Sequence, residues 1–183
     1  STDAVFPGEL GKKYTENDMP DPINYYGKTK LRSEQVIIQN HDNYTILRTA
    51  VIYGTHTRSR FTDWIKSKLE NNEMVDPHVD QFNTPTLVDD LAKVVIKIIQ
   101  KDVRGLYHAT GKTCINRYEF AIQIAKKFGY DIELIKPVTA SEKIQKAPRA
   151  TSTCLDSSKL EKILEFNFLD ISHGIKFIYH NQT

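Results

Sequence analysis

The sequence is short of several things, and each absence excludes something. Its eight glycines, at 8, 11, 27, 54, 105, 111, 129 and 174, nowhere form a G-x-G-x-x-G or G-x-x-G-x-x-G cluster. The chain therefore holds no turn of the kind that wraps backbone amides around a dinucleotide pyrophosphate. Only two cysteines occur, Cys114 and Cys154, with no C-x-x-C between them, and the six histidines show no H-x-x-x-H spacing. That pattern predicts two reduced thiols and no structural metal. No apolar run is long enough to span a bilayer. Basic runs are limited to Lys12-Lys13 and Lys126-Lys127 in a chain of net charge +2, which argues against a nucleic-acid partner.

What is present is an ordinary globular composition, 39% hydrophobic and 26% charged over 183 residues, enough to bury one core. Two stretches carry chemistry. Ser1-Thr2-Asp3-Ala4-Val5-Phe6 opens the chain, and Tyr26-Gly27-Lys28-Thr29-Lys30 follows a loop rich in acidic residues and proline. Tyr26 and Lys30, at i and i+4, share one face of a helix. An ammonium beside a phenol favours the phenolate. Such a tyrosine can exchange a proton with a reacting oxygen, and a threonine hydroxyl can hydrogen-bond the same oxygen. The pair on its own is expected about once by chance in a chain with nine tyrosines, so its context must carry the argument.

That context is extensive. Ser-Thr-Asp-x-Val-Phe at 1–6, Asn24-Tyr25-Tyr26-Gly27-Lys28-Thr29-Lys30-Leu31, Leu47-Arg48-Thr49, Asp80-Gln81-x-x-x-Pro85-Thr86, Gly105-x-Tyr107-His108 and Pro148-Arg149…Leu155-Asp156-x-Ser158-Lys159-Leu160 occur in this order. Together they resemble the extended short-chain dehydrogenase/reductases, and among them the dTDP-4-dehydrorhamnose reductases, over nearly the whole chain. The resemblance implies an α/β fold: the second half of a Rossmann-type three-layer sandwich with a smaller α/β substrate-binding lobe. It also implies that a preceding Gly-rich half is missing by truncation. The expected division is interleaved, with 1–55 and 79–110 on the NAD(P) side and 56–78 and 111–183 in the substrate lobe.

Local signals place the elements. Asn24 is an N-cap for a helix to about Gln39, with Gly27, Leu31 and Ile38 toward the sheet. Residues 1–6 read as a strand end, and 44–48 as a short strand. A helix over 61–69 puts Phe61, Trp64, Ile65 and Leu69 on one side, which places Trp64 in the core rather than at a stacking site. Thr86 is a candidate cap for a helix to 101 with Asp89 at its third position. A strand over 105–109 follows, in which His108 is a hydrogen-bonded sheet residue. Asn116 with Glu119 starts a helix that Gly129 ends. Residues 132–137 read as a strand, and 156–165 and 171–180 as helices.

The resemblance implies roles for particular residues. Thr2, Tyr26 and Lys30 are the expected catalytic set. Tyr26, Lys30 and Thr49 are expected against the cofactor, NADP(H) or NAD(H). Thr2, Asp3, Val5, Phe6, Val51 and Arg149 are expected against a dTDP-linked sugar, with Lys143, Lys146 and Arg149 near its diphosphate. The implied reaction is NAD(P)H-dependent reduction of a nucleotide-linked 4-keto-6-deoxy sugar in dTDP-L-rhamnose biosynthesis, by a cytoplasmic protein that can form a homodimer. Val51 stands where these reductases usually carry tryptophan. Ala4 stands where nucleotide-sugar dehydratases carry glutamate, and the 4-epimerases favour Ser-rich runs where this chain has Thr2-Asp3-Ala4, so both alternatives fall behind reduction. A non-catalytic alternative resembles the methionine adenosyltransferase β subunit, which keeps Tyr-Gly-Lys-Thr-Lys and lacks the Ser-Thr-Asp form.

Overall fold

A computed structural model of the chain describes residues 1–55, 60–142 and 145–181. The scaffold is mixed α/β, built on short parallel strand pairs. Strand β1 (Thr45–Arg48) pairs in parallel with a later strand, Gly105–His108. The opening residues extend this ladder on its other side. The Ser1 nitrogen donates to the Leu47 carbonyl (2.7 Å), the Asp3 N–H donates to the Thr49 carbonyl (3.1 Å), and Thr2 bridges Thr49. The chain does not continue as a strand past Thr2. Its hydroxyl accepts from the Ala4 N–H (3.2 Å) and caps a 3-10 turn, Asp3–Val5, so the expected strand end becomes a turn at the carboxyl edge of the ladder. Ligands of open parallel sheets bind at that edge.

Helix α1 (Tyr25–Asn40) starts where expected, because Asn24 Oδ1 accepts from the Gly27 N–H at 2.8 Å. Gly27 is needed for another reason too: a Cβ there would overlap the Ala4 carbonyl and press on Pro22. The helix can therefore lie directly on the 3-10 turn. Its sheet-facing side is less apolar than the pattern suggested, since Ile38 is exposed and the buried residues are Gly27 and Glu34.

Strand β2 (Ile52–Tyr53), helix α2 (Arg60–Glu70), strand β3 (Phe82–Asn83) and strand β4 (Thr86–Leu87) follow, with β2 parallel to β4. Thr86 does not cap the next helix. Fully buried on β4, it donates its hydroxyl to the Ala50 carbonyl at 2.8 Å, and Leu87 occupies the cap position without a side-chain bond. Helix α3 (Val88–Lys101) then leads into strand β5 (Gly105–His108). Strand β6 (Ile115–Asn116) pairs antiparallel with β3 and runs into helix α4 (Arg117–Phe128). Asn116 accepts from the Glu119 N–H at 2.8 Å and Gly129 closes the helix at φ 76°, as the capping pattern predicted. Residues 132–137 are not a strand: Ile132–Leu134 form a 3-10 turn, and Ile135 makes one bridge to Val75. Helices α5 (Ser158–Leu164) and α6 (Ile171–His180) complete the chain.

Two larger apolar clusters hold the helices against the strands. One gathers Val94 and Ile98 of α3, Tyr107 of β5, and Leu160 and Leu164 of α5. The other joins Ile65 and Leu69 of α2, Phe120 and Ile124 of α4, and Ile175 and Ile178 of α6. His108 is fully buried, with its Nδ1 3.1 Å from the Tyr14 carbonyl, a structural sheet histidine.

Cys114 and Cys154 are joined as a disulfide, with Cα atoms 5.5 Å apart, contrary to the two thiols expected. Their distance in sequence hid a common neighbour. Strand β3 pairs with 115–116 on one side and bridges Ser152 on the other, so both cysteine segments flank the same short strand. Among the described residues, no group of three or more His, Cys, Asp or Glu is placed to hold a metal ion, and no helix is long and apolar enough to cross a membrane.

Candidate functional site

A cleft of about 1070 Å³ opens at the carboxyl edge of the ladder, lined by Thr2, Asp3 and Tyr26 from the two sequence motifs. Thr2 is buried, and its hydroxyl donates to Asp3 Oδ1 at 3.0 Å. Asp3 is held from its other oxygen by Asn83 Nδ2 (2.7 Å) and the Thr153 hydroxyl (2.5 Å). Burial pushes the Asp3 carboxyl above the usual carboxylate range, against the lowering effect of these three donors and of the Arg117 guanidinium. Asp3 is thus a fixed, cleft-facing acceptor whose hydrogen-bond partners come from β3 and the 151–155 segment.

Tyr26 is half exposed at the cleft, and Lys30 Nζ lies 5.8 Å from its ring centroid. The helical spacing therefore delivers the pair as predicted. Asn24 does more than cap the helix: its Nδ2 donates to the Pro148 carbonyl at 3.0 Å, so the start of α1 also holds the segment bearing Arg149. Arg149 and Lys146 line the same cleft, whereas Lys143 lies outside the described residues.

Not every expected residue reaches this space. Val5 is fully buried with Phe6, Tyr14 and Leu155 and supports the cleft from behind, so a direct substrate contact for it is corrected. Phe6 is also buried but closes the cleft floor. Thr49 sits behind the wall, its hydroxyl 3.4 Å from that of Thr86.

Val51 lines the cleft in a conformation unusual for its type, with φ 39°. A β-branched residue in the left-handed region costs on the order of 1–3 kcal/mol, and such strain persists only where neighbours impose it. Here Thr86 imposes it, donating its N–H to the Val51 carbonyl (3.1 Å) and its hydroxyl to the Ala50 carbonyl (2.8 Å).

Two residues escaped the sequence reading. Arg117, the first residue of α4, lines the cleft with its guanidinium 5.0 Å from the Phe61 ring, coupled electrostatically to Asp3 and Arg149. Burial lowers its pKa to about 10, which leaves it cationic at neutral pH. The signal available was a cation in the first turn of a helix, where the macrodipole disfavours one. Trp64 is the other: it is 37% exposed and lines the cleft, while Ile65 and Leu69 take the core positions.

The description "RmlD substrate binding domain" matches residues 1–182. This chain belongs to that family. It is 30% identical over 97% of its length to a dTDP-4-dehydrorhamnose reductase of Aggregatibacter actinomycetemcomitans, of which it covers 64%. It is 32% identical over 89% of its length to the methionine adenosyltransferase 2 subunit beta of Xenopus tropicalis, covering 51% of that protein. The crystal structure of dTDP-4-dehydrorhamnose reductase from Bacillus anthracis in complex with NADP superposes with a TM-score of 0.91 at 27% identity, over 98% of this chain and 63% of that one. The chain thus spans between half and two thirds of these relatives, and its scaffold is that of the Rossmann-type reductases.

A nicotinamide dinucleotide is the cofactor such a scaffold implies. The residues present fit one end of it. Tyr26 lines the cleft and Lys30 stands exposed beside its ring, so a phenol and an ammonium are open to a ligand there. Of the glycines with positive φ, Gly8 and Gly11 lie in the loop before α1, Gly105 opens β5 and Gly129 ends α4, so none sits between a strand and a following helix N-terminus as a pyrophosphate turn does.

Proposed function

We propose that this chain is the substrate-binding and proton-donating part of an NAD(P)H-dependent reductase acting on a nucleotide-linked 4-keto-6-deoxy sugar, as in dTDP-4-dehydrorhamnose reduction. The observation that carries the reading is the convergence of Thr2, Asp3, Tyr26, Arg117 and Arg149 on one cleft at the carboxyl edge of a parallel ladder. Reduced nicotinamide, when bound, supplies the hydride for the keto carbon. Tyr26 gives a proton to the carbonyl oxygen, and Lys30, one helical turn away, stabilises the phenolate left behind. Thr2 turns its hydroxyl from Asp3 to that oxygen, and Asp3 accepts from a sugar hydroxyl. The two guanidiniums suit a diphosphate, which they can grip with paired hydrogen bonds.

The test is nicotinamide oxidation with dTDP-4-keto-6-deoxyglucose and a coupling 3,5-epimerase, comparing the intact protein with Tyr26→Phe. Loss of a general acid is expected to lower turnover about 10²–10⁴-fold, with cofactor affinity nearly unchanged. Full turnover in Tyr26→Phe would sink the proposal.

A second reading rests on the similarity to the methionine adenosyltransferase subunit. On that reading the cleft binds nucleotide without turning it over, and the chain docks on a synthetase. Absence of keto-sugar reduction together with co-purification of a methionine adenosyltransferase catalytic subunit would favour it.

A further inference from the structure

Trp64 is the only tryptophan in the chain, and it is 37% exposed on helix α2. Its helix neighbours Ile65 and Leu69 are 0% and 3% exposed, yet Trp64 turns a wide ring to the cleft. Its setting is packed. Phe61 stacks on the fully buried Phe120 with ring centroids 5.2 Å apart, and Trp64 lies 6.0 Å from Phe61 at a tilt of 46°. Other aromatic side chains reach the cleft, but Phe6 is buried and Tyr26 is assigned to proton transfer. The turn at 49–51 offers only the aliphatic Val51.

The groups that line this cleft differ in chemistry and are linked by neighbour contacts. Thr2 and Asp3 offer hydroxyl and carboxylate. Arg117 and Arg149 line the same cleft, and Arg117 feels the charges of Asp3 and Arg149. The Arg117 guanidinium lies on Phe61, and Trp64 is an aromatic neighbour of Phe61. A nucleoside-diphosphate sugar carries the groups this lining can meet: a hydroxylated ring, two phosphates and a planar base. We infer that Trp64, braced by Phe61, is the stacking platform for the nucleobase of a nucleoside-diphosphate sugar. The inference rests on the nucleotide-sugar reading of the cleft. Aromatic faces bind bases with little preference for their edges, so the platform contributes affinity for the nucleoside and selects against ligands that lack a base.

The experiment is calorimetric titration of the intact protein with dTDP and, separately, with inorganic pyrophosphate. Trp64→Leu keeps apolar bulk and removes the flat face, and Trp64→Tyr keeps a flat face. Stacking is worth enough that Trp64→Leu is expected to weaken dTDP binding about tenfold or more, while Trp64→Tyr stays within about threefold. Pyrophosphate binding is expected to be unchanged in both variants and weakened by Arg149→Ala. Undiminished dTDP affinity in Trp64→Leu overturns the platform and leaves the nucleotide-sugar reading standing. Equal loss of dTDP and pyrophosphate also overturns it, because the residue then acts only by shaping the cleft. If the native protein binds neither dTDP nor pyrophosphate, the nucleotide-sugar reading itself falls and takes the platform with it.

Discussion

Glu34 and Arg48 are joined by two hydrogen bonds, Nε to Oε1 at 2.9 Å and Nη2 to Oε2 at 2.6 Å, and each residue is only 3% exposed. The pair fastens α1 to β1 below the face that carries Tyr26 and Lys30, and the Arg48 guanidinium also lies 5.1 Å from the Phe6 ring under the cleft. Removing one partner leaves the other charge buried and unpaired. Glu34→Ala is therefore expected to lower unfolding stability by roughly 3–5 kcal/mol, read from urea midpoints. The double variant Glu34→Leu/Arg48→Met should recover most of that loss, because two apolar groups need no partner. A loss below about 1 kcal/mol in Glu34→Ala would show that water reaches the pair.

Gly27→Ala should act against its usual sign. In an exposed helix this change stabilises by about 1 kcal/mol. At Gly27 the added Cβ meets the Ala4 carbonyl, which belongs to the same turn as Asp3. Either α1 lifts or the turn shifts, and both displace Tyr26 from Thr2. The expected result is a protein less stable than native whose turnover falls more than its cofactor binding. A stabilised, fully active Gly27→Ala would refute the close contact.

The comparison with the sequence explains why some features were legible. Caps are local, so Asn24, Asn116 with Glu119, and Gly129 marked helix ends within a few residues of where they fall. Helical spacing likewise put Tyr26 and Lys30 on one face. The failures are non-local. Thr86 read as a cap until the Ala50 carbonyl proved to be its partner. Residues 132–137 had strand composition, but among the described residues Val75 alone bridges that stretch, at Ile135. Trp64 shares its spacing with true core residues, and periodicity cannot say which of several apolar faces meets a cleft.

The disulfide makes a prediction of its own. It closes a loop of 40 residues, and such a loop is worth roughly 4 kcal/mol on chain-entropy grounds. Cys154 is fully buried beside Thr153, whose hydroxyl bonds Asp3, whereas Cys114 is exposed. Reductant should therefore lower the urea midpoint of the native protein and leave the Cys114→Ser/Cys154→Ser double variant unmoved. Thiol labelling of both cysteines in folded, unreduced protein would rule the bond out. In a reducing compartment the same chemistry would hold the pair as thiols.

Asp3 predicts a pH dependence with a definite sign. Burial raises its carboxyl pKa above the ordinary 3.8, and the bonds from Thr153, Thr2 and Asn83, with Arg117 nearby, only partly offset this. The folded state then binds the proton more tightly than the unfolded chain does. Its contribution to stability is fully present below 3.8 and is lost as pH rises through the raised folded value. Asp3→Asn keeps a neutral, hydrogen-bonding group of the same shape and cannot titrate. Measured from about pH 3 to about pH 7 by urea unfolding, the native protein should lose stability relative to Asp3→Asn as pH increases. The gap should open above the unfolded value and level off once the folded carboxyl has ionised. A gap that narrows with rising pH would mean that the donors and Arg117 outweigh burial, and that Asp3 is a stabilised carboxylate in the free protein.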